Sequence, residues 1–220
     1  MKVWVIGGTS GIGAAVADHF AIDGNGNDVF ISGKDTADVR EMDALEGYHA
    51  TYGPFDTVIY SAGVNKLDWI RHASWYMTAV YDVNVAGFVR TLGVISGTEC
   101  RSVVAISSDA ATRPMRTSIA YCASKAALDM AVRCAARELS PMRVNAVSPG
   151  MTADTEMTAY IDAAVPAIRG WTPEHAADYE KSQLPIGRRG TPQEIARVVY
   201  DVATGPDFMT GSIVTVNGGR

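Results

Sequence analysis

No stretch of the 220 residues approaches the ~18 consecutive apolar residues that a membrane-spanning helix needs. A helical membrane protein is therefore not expected. Cysteine is scarce. Cys100, Cys122 and Cys134 are odd in number and form no C-x-x-C pair, which argues against a disulfide framework and against a zinc site. Histidine is equally thin: His19, His49, His72 and His175 stand far apart with no i, i+4 pair, so no metal is expected. Basic residues are outnumbered, 19 against 24 acidic ones, giving a net charge of −5 and no basic stripe. Duplex nucleic acid is not an expected partner. Nothing at the N-terminus reads as a secretory leader, because Met1-Lys2 runs straight into Val3-Trp4-Val5-Ile6 and glycines end that run early. Together with the unpaired cysteines this points to a reducing, cytoplasmic setting.

What is present is ordinary globular material: 47% apolar, 20% charged, and a length that suits one α/β domain spanning 1–220. Short apolar runs at Val3–Ile6, Val29–Ser32, Thr57–Tyr60, Ser102–Ser107, Arg143–Val147 and Ser212–Val216 read as strands. Helical patterns lie between them at Gly13–Phe20, 74–94, 120–139 and 192–202. That rhythm predicts a doubly wound parallel sheet with helices on both faces. Residues 150–190, with three prolines, read as a mobile helical insertion. After Val29–Ser32 the chain reaches Val39 too soon for a crossover helix, which is expected to be missing or reduced to a turn.

Three motifs carry chemistry. Gly7-Gly8-Thr9-Ser10-Gly11-Ile12-Gly13 follows a strand and opens a helix, where glycines allow a tight turn and free N–H groups can meet a pyrophosphate. Tyr121 and Lys125 stand at i, i+4 on a helix, hence on one face, and an ammonium beside a phenol favours phenolate. Ser107-Ser108 ends a strand, the place where open α/β sheets put ligands, and a hydroxyl there can bind a carbonyl oxygen.

The G-x-x-x-G-x-G spacing, Ser61-Ala62-Gly63, Asn84, Ser108, Tyr121-x-x-x-Lys125, Pro149-Gly150 and the closing Val216-Asn217-Gly218-Gly219 follow one another in an order that resembles the short-chain dehydrogenase/reductase family, over essentially the whole chain. The resemblance implies a single-domain Rossmann fold and an NAD(P)-dependent oxidoreductase acting on a carbonyl or secondary alcohol. It implies Tyr121 as general acid/base, Lys125 as its pKa-lowering partner and ribose ligand, and Ser108 as the group that orients the substrate. Asn84 would hold a water in a proton relay. Ser61, Ala62 and Gly63 would line the cofactor, Pro149 and Gly150 would flank the nicotinamide with Thr152 near its carboxamide, and Asp38-Val39 would meet the adenine after a third strand. The segment 150–190 would cover the substrate. Departures are Ile6 where the family has Thr, Tyr60-Ser61 where it has Asn-Asn, which weakens a stabilising contact, and a late second Thr at position 155.

Gly33 stands where an NAD enzyme usually carries an acid, Lys34 supplies a cation and Ser32 a hydroxyl, so NADP is the expected cofactor, with NAD as the alternative. A dinucleotide sensor without turnover is the competing function, disfavoured by the presence of Ser108, Tyr121 and Lys125 together. A lyase or epimerase is a third. The resemblance, and the apolar or small residues Ala126, Ala127, Met130, Ala131, Cys134 and Ala135 on more than one helix face, imply a homotetramer or homodimer. Trp75 is expected in core or subunit packing.

Overall fold

The computed structural model covers residues 1–220. Six strands, β1 (Lys2–Ile6), β2 (Asp28–Ser32), β3 (Thr57–Tyr60), β4 (Ser102–Ile106), β5 (Arg143–Pro149) and β6 (Ile213–Val216), form one all-parallel sheet in the order β2-β1-β3-β4-β5-β6. Side chains alternate across the sheet, so each strand feeds two cores. Trp4, Ile6, Val58, Tyr60, Val103 and Val144 face one layer; Val3, Val5, Ile59, Val104 and Val147 face the other. The first layer is covered by α2 (Met42–Tyr52), α4 (Gly87–Ile95) and α5 (Ile119–Glu138), through Leu45, Phe88 and Leu128. The second is covered by α1 (Gly11–Ile22) and α8 (Pro192–Ala203), through Phe20 and Ile195. Strands β3, β4 and β5 are buried throughout, as a sheet covered on both faces requires. No helix is long and apolar enough to cross a membrane.

The second crossover is only partly as expected. Residues 33–41 carry turns and no helix, but Met42–Tyr52 then form a full helix back to β3. Leu45 of this helix is fully buried and Tyr48 stacks on Trp4 at 5.2 Å, which is why it forms where it does. The third strand expected before Asp38 is not there: β2 ends at Ser32 and β3 begins only at Thr57.

The helix expected over 74–94 is broken up. A 3-10 turn (Ile70–Trp75) leads to α3 (Met77–Tyr81), a π turn (Asp82–Ala86) and α4. The π turn widens the helix at Asn84, and Tyr60 Oη donates to the Val83 carbonyl at 2.5 Å. A side chain at Gly87 would collide with that hydroxyl. Tyr60 thus makes a tie of its own between sheet and helix. Trp75 is 81% exposed and packs on His72, so it is not a core residue of this chain.

Within residues 150–190 lie two helices, α6 (Glu156–Arg169) and α7 (Pro173–Ser182), N-capped by Thr155 and Thr172.

Candidate active site

The chain runs from β1 outward to β2 and then returns to β3 on the other side of β1, so the carboxyl ends of β1 and β3 diverge into a crevice. A cavity of about 340 Å³ lies there. Its floor is the glycine turn. Gly7 has φ +76, and a Cβ on it would strike the Ala62 backbone; one on Gly13 would strike the Gly7 carbonyl. These two glycines let strand, turn and helix close on one another. Ser10 makes no side-chain cap to α1 and the first turn of α1 holds no acid, so the Gly11 and Ile12 N–H groups face the crevice uncapped and favour an anion.

At the far side stand Ser108, Tyr121 and Lys125, all lining the same cavity. Ser108 leaves β4 as the N-cap of a 3-10 turn, its Oγ accepting from the Ala110 N–H at 3.2 Å. Its own proton is therefore free to point elsewhere. Tyr121 and Lys125 lie one turn apart on α5, both buried. Lys125 Nζ donates to the Ile106 carbonyl at 2.8 Å and sits 5.8 Å from the centre of the Tyr121 ring.

Burial pushes the Tyr121 phenol up to about 12, against the opposing pull of the Ser108 hydroxyl. Burial brings the Lys125 ammonium down to about 8, opposed by the Asp129 carboxylate. The Lys125 ammonium is turned to the Ile106 carbonyl, and burial sets the direction for Tyr121.

Asn84 is fully buried behind this group. Its Oδ1 accepts from the Val64 N–H, and its Nδ2 donates to the Val64 carbonyl and to Ser124 Oγ. A Cβ on Gly63 would lie 3.5 Å from Lys125 Nζ and 3.7 Å from Asn84 Oδ1, so both side chains border one small space.

Most of the residues expected at the site line the cavity: Gly7, Thr9, Ser10, Gly11, Ile12, Lys34, Ser61, Ala62, Gly63, Pro149, Gly150 and Thr152, with Thr155 beside them. Ser32 does not. It shares a face of β2 with Phe30, is fully buried in the core layer, and its Oγ accepts from Trp4 Nε1 at 2.9 Å. Asp38 and Val39 also lie outside the cavity lining. The Asp38 carboxylate is paired with Arg40, which holds it at about 2, and Val39 packs in the core. Gly13 is also outside the lining, and its lack of a side chain lets α1 close on the Gly7 carbonyl.

Two groups escaped the sequence reading. Asp129, buried one turn beyond Lys125, accepts from the Ser107 hydroxyl, and its position at i+8 from Tyr121 was a legible signal. Arg116 and Arg169 meet beside the cavity from positions 53 apart, which no local pattern reveals.

The chain matches the family model described as enoyl-(acyl carrier protein) reductase over residues 34–220. It is 30% identical to the 2,3-dihydro-2,3-dihydroxybenzoate dehydrogenase of Escherichia coli, covering 99% of this chain and 96% of that protein. The chain belongs to the short-chain dehydrogenase/reductase family. A 3-oxoacyl-(acyl-carrier-protein) reductase of Mycobacterium tuberculosis is 28% identical over 99% of this chain and 92% of its own length. Among solved structures, a small-chain dehydrogenase in complex with NADPH superposes with a TM-score of 0.86 at 26% identity, over 100% of this chain and 97% of that one. The aldohexose dehydrogenase of Thermoplasma acidophilum, ligand-free, gives 0.85 at 26% identity, over 99% and 92%. As a member of this family of dehydrogenases and reductases the chain is an enzyme of the oxidoreductase class.

Proposed function

We propose that this short-chain dehydrogenase/reductase uses NADP(H) to interconvert a carbonyl and a secondary alcohol, with Tyr121 as general acid/base. The observation that carries the reading is the meeting of Ser108, Tyr121 and Lys125 in one cavity with an uncapped glycine turn. A dinucleotide fits these residues: Gly11 and Ile12 N–H groups for the pyrophosphate, and Lys34 with Thr9 for a ribose phosphate. Gly33 lies so close to Thr9 that a Cβ there would come within 2.9 Å of its Cγ2, so no side chain stands where an NAD enzyme carries its acid. The NADPH bound by the 26%-identical neighbour supports the choice. Bound there, the cofactor supplies or accepts the hydride.

The chain's own residues handle the oxygen. Ser108 donates to the carbonyl oxygen, which can only accept, while its own oxygen accepts from the Ala110 N–H. Tyr121, held protonated at neutral pH by burial, gives its proton to the same oxygen. The Lys125 ammonium, one turn away, stabilises the phenolate left behind. Lys125 and Asn84 face the common space at Gly63, the geometry of a path for the returning proton. Helix α6 contributes Met157, Ile161 and Val165 to the substrate side, and α6 with α7 acts as its cover.

The chain assembles as a homotetramer or homodimer. Met130 on α5 is 57% exposed and Val89 on α4 is 52% exposed, an apolar surface that a second copy would cover.

Tyr121→Phe tests the central claim. It should keep fold and cofactor binding while lowering kcat on a reducible carbonyl by ~10²–10⁴. Turnover equal to wild type would overturn the assignment.

A further inference from the structure

The cavity does not end at Tyr121. Met115, Met151, Ile161, Val165 and Arg169 line both it and a second chamber of about 710 Å³ under α6 and α7. The charges around this chamber are unevenly matched. Its two acids, Asp162 and Glu180, are both held by Arg189 at 2.6 and 2.5 Å. Arg188 takes Glu194. Arg116 and Arg169 make no ion pair, although the chain carries a net charge of −5.

These two arginines are fixed. The Arg169 guanidinium lies 5.1 Å from the centre of the Trp171 ring, and that of Arg116 lies 5.3 Å from the centre of Trp69. Arg169 Nη2 donates to the Arg116 carbonyl at 2.6 Å, while its Nε is buried without any partner. Thr117, next in the chain, is held at φ 64, a conformation that a β-branched residue rarely adopts, and Arg169 reaches its hydroxyl at 3.4 Å. Arg169, half-buried with one N–H unsatisfied and beside the exposed Arg116, is left short of an acceptor that an anion would supply. The Arg169 guanidinium is displaced below its ordinary value, by burial first and then by the Arg116 cation.

A carboxylate completes this corner, because its two oxygens accept from a guanidinium in its own plane. Between the corner and Tyr121 the shared wall is apolar: Met115, Ile161 and Val165. We propose that the substrate is a carbonyl compound bearing a carboxylate, the carboxylate seated on Arg169 and Arg116 and an apolar spacer lying along Met115, Ile161 and Val165. The proposal rests on the oxidoreductase reading and names the substrate class for it.

The test pairs keto carboxylates of graded length, aliphatic and aromatic, with their methyl esters. Reduction is followed by NADPH consumption in wild type, Arg169→Gln and Arg169→Lys, with folding checked by circular dichroism. In parallel, tryptophan fluorescence reports binding of para-acetylbenzoate and its methyl ester, since Trp69 and Trp171 flank the two arginines. The expected result is a preference for acid over ester of about tenfold or more in kcat/KM. It should collapse toward unity in Arg169→Gln and survive in part in Arg169→Lys. Turnover without that preference, or a preference that persists in Arg169→Gln, overturns the proposal and leaves the oxidoreductase reading standing. Carboxylate-specific quenching that Arg169→Gln abolishes, with no NADPH consumed by any pair, upholds the anion site and removes the activity. Neither turnover nor carboxylate-specific quenching overturns both.

Discussion

Replacing Asn84 with alanine is the sharpest perturbation of the scaffold behind the site. The side chain makes three hydrogen bonds: from the Val64 N–H at 2.8 Å, to the Val64 carbonyl at 2.9 Å and to Ser124 Oγ at 2.9 Å. They tie the segment after β3 to α5 across the widened π turn. Ser124 is fully buried and already donates to the Tyr121 carbonyl, so it loses the only donor its oxygen meets. At about 1 kcal/mol for each bond the loss is about 3 kcal/mol, rising to about 5 if water cannot reach the orphaned groups. Against a domain stability of roughly 5–15 kcal/mol this is a large fraction. Urea unfolding of wild type and Asn84→Ala, read by far-ultraviolet circular dichroism, measures it. Because Ser124 lies between Tyr121 and Lys125 on the helix, kcat should also fall, by ~10-fold or more, since small misplacements of reacting groups are costly. A stability loss below about 1 kcal/mol would show that Asn84 is not this tie.

Lys125→Met should lose activity yet stabilise the fold at pH 7. Burial holds Lys125 at about 8, below its ordinary 10.5, so the folded state carries a poorly hydrated cation at neutral pH. The folded chain releases that proton first, so wild-type stability rises between pH 8 and about 10.5, and the advantage of the Met variant should shrink over that range. Thermal melts as a function of pH check this; a variant no more stable at pH 7, or an advantage that grows with pH, contradicts the reasoning. Lys34→Ala should lower the ratio of kcat/KM for NADPH over NADH by ~10-fold, through loss of one charge-assisted phosphate contact. An unchanged ratio, or NADH preferred by wild type, would show that the corner of Thr9, Gly33 and Lys34 does not hold a phosphate. Met130→Glu should shift the mass measured by light scattering toward the monomer, as a charge placed in an apolar interface demands. A wild type already monomeric at micromolar concentration removes the assembly itself.

Much of this protein follows from local pattern. Strand and helix periods along the chain, glycines at 7, 11 and 13, and the i, i+4 spacing of Tyr121 and Lys125 specify a parallel sheet, a phosphate-ready turn and a reactive pair, because each depends only on residues a few positions apart. Asp129 belongs with them; it lies on the same helical face. The tertiary structure decided the rest. Ser32 looked like a cofactor ligand, but the sheet turns its side chain to the core where Trp4 claims it. The second crossover kept a helix because Tyr48 found Trp4 to stack on. The π turn at Asn84 exists together with Tyr60 reaching Val83 over the bare Gly87, and Arg116 meets Arg169 only because α6 folds back over the start of α5. In each case the deciding partner lies tens of residues away, and packing, not periodicity, brings it there.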